Sequence, residues 1–213
     1  ARRAPVAQMQ APAVAETGVQ SLLKANGAMI SSLAAVAPDM SELQLLRFAL
    51  AFPDPTEAKA ALKETLAWRA GAGKAAAEAA AGAVAKATAG GAWDNEPVRA
   101  AAPHAAAINE FITPKNILSL STDDGDLVYL IRASQIEDKA MMSKVSVDQV
   151  VEFLLYVKEV HMLIANARSE RTGRLSEVVF ASESLAPLPS ASISAMAAAN
   201  STSSSGVPGA KHD

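Results

Sequence analysis

Residues 125–181 read GDLVYLIRASQIEDKAMMSKVSVDQVVEFLLYVKEVHMLIANARSERTGRLSEVVFA. Just before them, Asp123, Asp124 and Gly125 form a turn signal, and the apolar run Leu127, Val128, Tyr129, Leu130 and Ile131 then reads as a buried strand. Ser146 and Gln149 have the spacing of a capping box, in which the hydroxyl takes an early backbone N–H and the amide reaches back. They open a helix over residues 147–167, apolar at Val147, Val150, Val151, Leu154, Leu155 and Ile164. That apolar face is wide, which predicts substantial burial. The helix stops near Gly173, and residues 177–181 read as a second short strand. Strand, long helix and strand imply a small sheet.

Upstream, the chain reads as helix throughout. Thr17 with Gln20, Ser41 with Gln44, Asp54 with Glu57 and Ser134 with Glu137 repeat the capping spacing, and Pro55 sits where a first helical residue needs no N–H partner. Over residues 17–37, Leu22, Leu23, Met29, Ile30 and Leu33 form a stripe of helical period. Asn26 interrupts it, and Pro38 ends it. A short helix is predicted over 42–52, and another over 55–70 with Ala58, Ala61, Leu62, Thr65 and Leu66 inward. Residues 73–89 are mostly alanine, strong in helix propensity but with little surface to bury, so this helix needs neighbours. The predicted class is α+β, predominantly α-helical.

Composition narrows the function. Of 213 residues, 50% are hydrophobic, but 48 are alanine and only 4% are aromatic, which suits thin helical packing. There is no cysteine, which excludes disulfides, thiolate metal sites and a cysteine nucleophile. A net charge of −3 argues against nucleic acid. The best apolar run, residues 153–165, contains Lys158 and Glu159 and cannot span a bilayer. Residues 1–16 carry Arg2 and Arg3 with no acid before Glu16, in the manner of a plastid transit remnant; a plain Ala/Pro-rich terminus reads equally well. From Ser182 to Asp213 the chain is mainly Ser, Ala, Pro and Gly, too poor in apolar surface to order itself, so a partner is expected to order both tails. The domain reading is a tail over 1–16, a domain over 17–181 (helical part 17–110, α/β part 111–181) and a tail over 182–213.

Two pieces of sequence resemble the CRAL-TRIO lipid-binding family. Leu45, Leu46, Arg47 and Phe48 are similar to its LLRFLRA segment, and Lys59, Ala60, Leu62, Trp68 and Arg69 to the helix that ends in W-R. Gly125, Val128 and Tyr129 resemble its first strand, with Leu127 in place of a proline; Arg168, Arg171, Thr172, Gly173 and Arg174 resemble its R-x-G-R loop. The resemblance implies a helical N-terminal lobe plus a truncated CRAL-TRIO-like lobe. The further strands and gating helix of the family have no counterpart after Ala181, so its lipid-binding residues are not carried over.

No catalytic set is readable. The segment 70–75 lacks the first glycine and the hydroxyl of a phosphate loop, and Asp123, Asp124 and Asp126 lack the twelfth-position glutamate of a calcium loop, leaving a solvated hairpin turn. His104, His161 and His212 are far apart, and His161 reads as a packed helix residue. If a pigment were bound, His104 and His161 would be the first axial candidates. Arg168, Arg171 and Arg174 suit the C-terminal dipole of the long helix and would also suit an anionic lipid or acidic partner. The expectation is therefore a non-enzymatic, peripheral structural subunit of a plastid membrane complex, at the soluble face of the thylakoid, with photosystem or antenna proteins as partners. No cofactor is expected beyond peripheral lipid or chlorophyll contact. The alternatives are a lipid- or isoprenoid-binding protein and a cytoplasmic peripheral membrane location.

Overall fold

The computed structural model describes residues 18–183; the expectations for both tails, for Thr17 as a cap and for His212 lie outside these residues. The fold is α+β and predominantly helical, with one three-stranded mixed sheet.

Four helices make the first layer: α1 (Val19–Ala25), α2 (Gly27–Ala34), α3 (Glu42–Ala51) and α4 (Pro55–Ala70). The single helix expected over 17–37 is two. Asn26 leaves helical geometry at φ −106° and ψ 13°, and its amide donates to Leu22 O at 2.8 Å, so the residue that broke the apolar stripe also breaks the helix. Ser41 and Gln44 make the predicted capping box, and Asp54 accepts from Thr56 N and Glu57 N. Val19, Ile30, Leu33, Leu45, Leu46, Phe48, Ala58 and Leu62 close a core that also takes in Leu175, from the far end of the chain.

The alanine helix α5 (Lys74–Thr88) finds its neighbour in α9 (Val147–Thr172). Ala80, Ala83 and Ala87 are buried at helical spacing, and small side chains let the two axes approach. The turn before it holds Gly73 against the indole of Trp68: a Cβ there would lie 2.3 Å from Trp68 Cε2. Two short helices, α6 (Glu96–Ala101) and α7 (Ala105–Ile108), follow; α6 packs on α5, and Val98 O accepts from Tyr156 of α9. Neither stands out in the sequence, being one or two turns long.

Strand β1 (Ile117–Ser121) is a second departure; its polar alternation, Ser119 and Ser121, hides it. It pairs antiparallel with β2 (Leu127–Arg132) through the turn at Asp123, Asp124 and Gly125, the hairpin expected there. At the end of β2 the capping box predicted at Ser134 does not form. Residues Ala133–Gln135 are a 3-10 turn instead, and α8 (Asp138–Lys144) begins after Glu137 with no side-chain cap. At Ser146 the box is made, and α9 runs 26 residues, five beyond the expected end at 167, to Gly173 in the left-handed region at φ 71°, where glycine carries no Cβ penalty. Strand β3 (Val178–Glu183) returns parallel to β2, giving the order β1-β2-β3; it takes in Ser182 and Glu183, assigned above to the tail.

Arginines tie the helical layer to α9. Arg47 donates to Asn166 Oδ1 at 2.7 Å and Ser176 O at 2.9 Å, while Arg69 pairs with Glu159 at 2.9 Å.

Candidate functional site

Alternation along the strands gives the sheet two different faces. Ser119, Tyr129 and Phe180 are register partners and face α9: Ser119 Oγ lies 2.8 Å from His161 Nε2, and the Tyr129 ring meets both His161 and Phe180 edge-on. The other face carries Leu118 and Leu120 from β1, Val128 and Leu130 from β2, and Val179 and Ala181 from β3. All six are apolar, and none joins either hydrophobic core. Leu120 is 45% exposed and Val179 40%. The apolar run read as a buried strand is buried on its inner face and half-buried on the other.

Beneath the inner face runs a groove of about 450 Å³. Its floor is one stripe of α9, Phe153, Tyr156, Val157, Val160, His161 and Ile164, ending at Arg168; spacings of three and four residues place them on one side of the helix. Its walls are β1 and β2 on one side and residues 93–117 on the other. The sheet meets α9 chiefly through β3, which leaves the groove open under β1.

Ser119 and His161 are the pair that could do chemistry, and they fall short of it. A serine nucleophile needs its base oriented by a third group. His161 Nδ1 is buried with no hydrogen-bond partner, so no third group holds the ring as a base. Burial, helped by the nearby Lys158 charge, pulls the imidazole down to about 4, a weak base at neutral pH. Tyr129 Oη is likewise buried without a partner, and burial raises its phenol far above the ordinary value. His104 does not join His161. It sits at φ 56°, bonded to Glu152 Oε2 at 2.7 Å and near Gln149, outside the groove.

The three arginines singled out in the sequence separate. Arg168 donates to Ser121 Oγ at 2.7 Å and Gly125 O at 3.2 Å, and Arg174 to Asp124 O and to the Asp126 carboxylate. Both fasten the β1–β2 turn to the end of α9. Arg171 is exposed at the helix end. Among the described residues, no group of three or more His, Asp or Glu is placed to hold a metal ion, and no helix is long and apolar enough to cross a membrane.

The groove and the outer sheet face were both missed in the sequence. The α9 stripe was present in the spacing of Phe153, Tyr156, Val160 and Ile164, but β1, which roofs the groove, had no signal strong enough to place it. No protein-family model, curated protein or solved structure matches the chain.

Proposed function

We propose that the chain is a non-enzymatic, peripheral structural subunit that docks onto a larger membrane-protein complex through the outer face of its sheet. The observation that carries this reading is the apolar set Leu118, Leu120, Val128, Leu130, Val179 and Ala181, exposed at Leu120 and Val179 and half-buried at the other four. Contiguous apolar side chains on one sheet face are a surface that a partner can cover. Three strands of about five residues make a face roughly 10 Å by 16 Å. That is far below the roughly 800 Å² per partner of a stable interface, so the occupant must extend beyond the sheet onto its surroundings. The fitting occupant is an aliphatic helix of a partner subunit, laid across the sheet and continuing over its surroundings. The acid-poor start of the chain, with Arg2 and Arg3, makes plastid membranes, with their photosystem and antenna proteins, the first place to look for that partner. The resemblance to CRAL-TRIO proteins stands beside this as a proposal of ancestry.

The test compares the natural chain with the double variant Leu120→Lys, Val179→Lys after gentle detergent solubilisation and density-gradient separation. The wild-type chain should migrate with a chlorophyll-containing complex and the variant as free monomer, with equal circular dichroism. Co-migration of both, or of neither, overturns the reading.

A further inference from the structure

At the edge of the sheet, and independently of the docking face, we infer that two copies of the chain pair antiparallel through β1, with Ser119 on the two-fold axis. β1 is an edge strand of the described sheet, with β2 on one side only. A free edge presents a row of unpaired N–H and C=O groups that invites another strand, and proteins commonly guard it with lysine, proline or a bulge. β1 has no such guard. Residues 116–122 contain no charge and no proline, and the pairing with β2 runs unbroken from Ile117 to Ser121. Ser119, Leu120 and Ser121 are exposed.

The hydrogen bonds of the hairpin show which backbone groups are free. Arg132 N donates to Asn116 O at 2.7 Å at one end, and Thr122 N to Asp126 O at 3.0 Å at the other. Between them, the alternation of an antiparallel pair turns the backbone groups of Leu118 and Leu120 toward β2, and those of Ile117, Ser119 and Ser121 toward the open edge. Ile117 N donates to Thr113 O of its own chain. The Ile117 carbonyl and the N–H and C=O of Ser119 and Ser121 have no partner among the described residues.

Self-pairing over the full length of the strand has one register: Ile117 opposite Ser121 of the second copy, and Ser119 opposite Ser119. Ser119 N–H then meets Ser119 O of the second copy, and Ser121 N–H meets Ile117 O of the second copy, each bond made twice by symmetry. Leu118 falls beside Leu120 of the second copy on the outer face. Carried past the strand ends, the same register sets Lys115 against Asp123 of the second copy. Both are exposed, and neither makes an ion pair among the described residues. An edge whose charges complement its own copy across a two-fold axis is what a closed dimer requires. The axis stands perpendicular to the sheet, so the two outer apolar faces lie side by side and widen to roughly 24 Å by 16 Å. Five residues of edge with an ion pair at either end stay at the low end of interface size, so the dimer is weaker than about 1 µM and separates at the dilution of a density gradient.

Sedimentation velocity of the full chain over a range of concentrations tests the inference. The wild-type chain should pass from monomer to dimer between about 1 µM and about 300 µM. Lys115→Glu should weaken the dimer about tenfold, because it sets like charges together twice, and Lys115→Glu combined with Asp123→Lys should restore it. The chain has no cysteine, so single cysteines report the register. Ser119→Cys should close a disulfide between copies under mild oxidation, because the Cα atoms of a hydrogen-bonded pair lie about 5.5 Å apart, within disulfide reach. Ser121→Cys should form one about tenfold more slowly, since the register puts its two copies about 14 Å apart. If Ser119→Cys, which loses the contact with His161, fails to fold by circular dichroism, the charge exchange still decides. A wild-type chain monomeric at every concentration, an undiminished dimer in Lys115→Glu, no recovery on charge exchange, or equal cross-linking at the two serines overturns the inference.

Discussion

His161 shows how one buried side chain makes stability depend on pH. The ring is 3% exposed, packed edge-on against Tyr129, with Ser119 on one nitrogen and no partner on the other. Burial first, and then the Lys158 charge, lower its value from 6.5 to about 4. Between those limits the unfolded chain binds a proton that the folded chain refuses, so stability is full above pH 6.5 and is lost as pH falls toward 4. The loss reaches about 2 kcal/mol by pH 5. Urea denaturation at pH 7 and pH 5 should therefore show a drop in the wild-type chain that His161→Phe does not share. Equal drops in both proteins would mean that His161 is not buried as a neutral base. The arginines that carried the family resemblance have a related lesson. Arg47 and Arg69 hold α3 and α4 to α9, and a strut between helices needs the same residue types as a family signature.

At the scale of elements, helix ends decided what could be read. Ser41, Asp54 and Ser146 cap helices as their spacing requires, because each is followed by a sequence that has somewhere to bury an apolar stripe. Ser134 has the same spacing with Glu137, but β2 runs to Arg132 and the chain turns through a 3-10 segment, which leaves no helix there to cap. The two serines therefore separate under substitution. Ser146→Ala should cost about 1 kcal/mol in chemical denaturation, the usual loss of a cap. Ser134→Ala should stay within about 0.5 kcal/mol, as an exposed residue away from such features does. Similar losses at both positions would show that spacing alone predicts the cap. The stop of α9 near Gly173 was legible from the glycine, whereas the break at Asn26 was not, since an amide out of pattern only weakens a stripe until its side chain is seen to turn back onto Leu22 O. Strand β1 was not legible, since two serines in five residues look like loop until Ser119 is seen to reach His161.

For the whole molecule, the sequence carries the class and most of the order of elements, while both candidate surfaces arise only when β1 joins the sheet. Its pairing with β2 places Leu118 and Leu120 beside Val128 and Leu130 on the outer face, and Ser119 and Ile117 over the groove on the inner one. The alternation of Leu118 and Leu120 with Ser119 and Ser121 shows which residues share a face, but which face is covered is settled only by the pairing with β2 and by β3, which joins from residues 178–183. The central claim is that the outer face meets a partner subunit, and photo-crosslinking from that face tests it most directly. A benzoylphenylalanine placed at Val179 in the natural host should yield a discrete cross-link to one membrane-complex subunit. The same probe at Leu50, which is 44% exposed but belongs to α3 and not to the sheet, should yield none. Cross-links from Val179 only within its own chain, or the same products from both positions, would contradict the account.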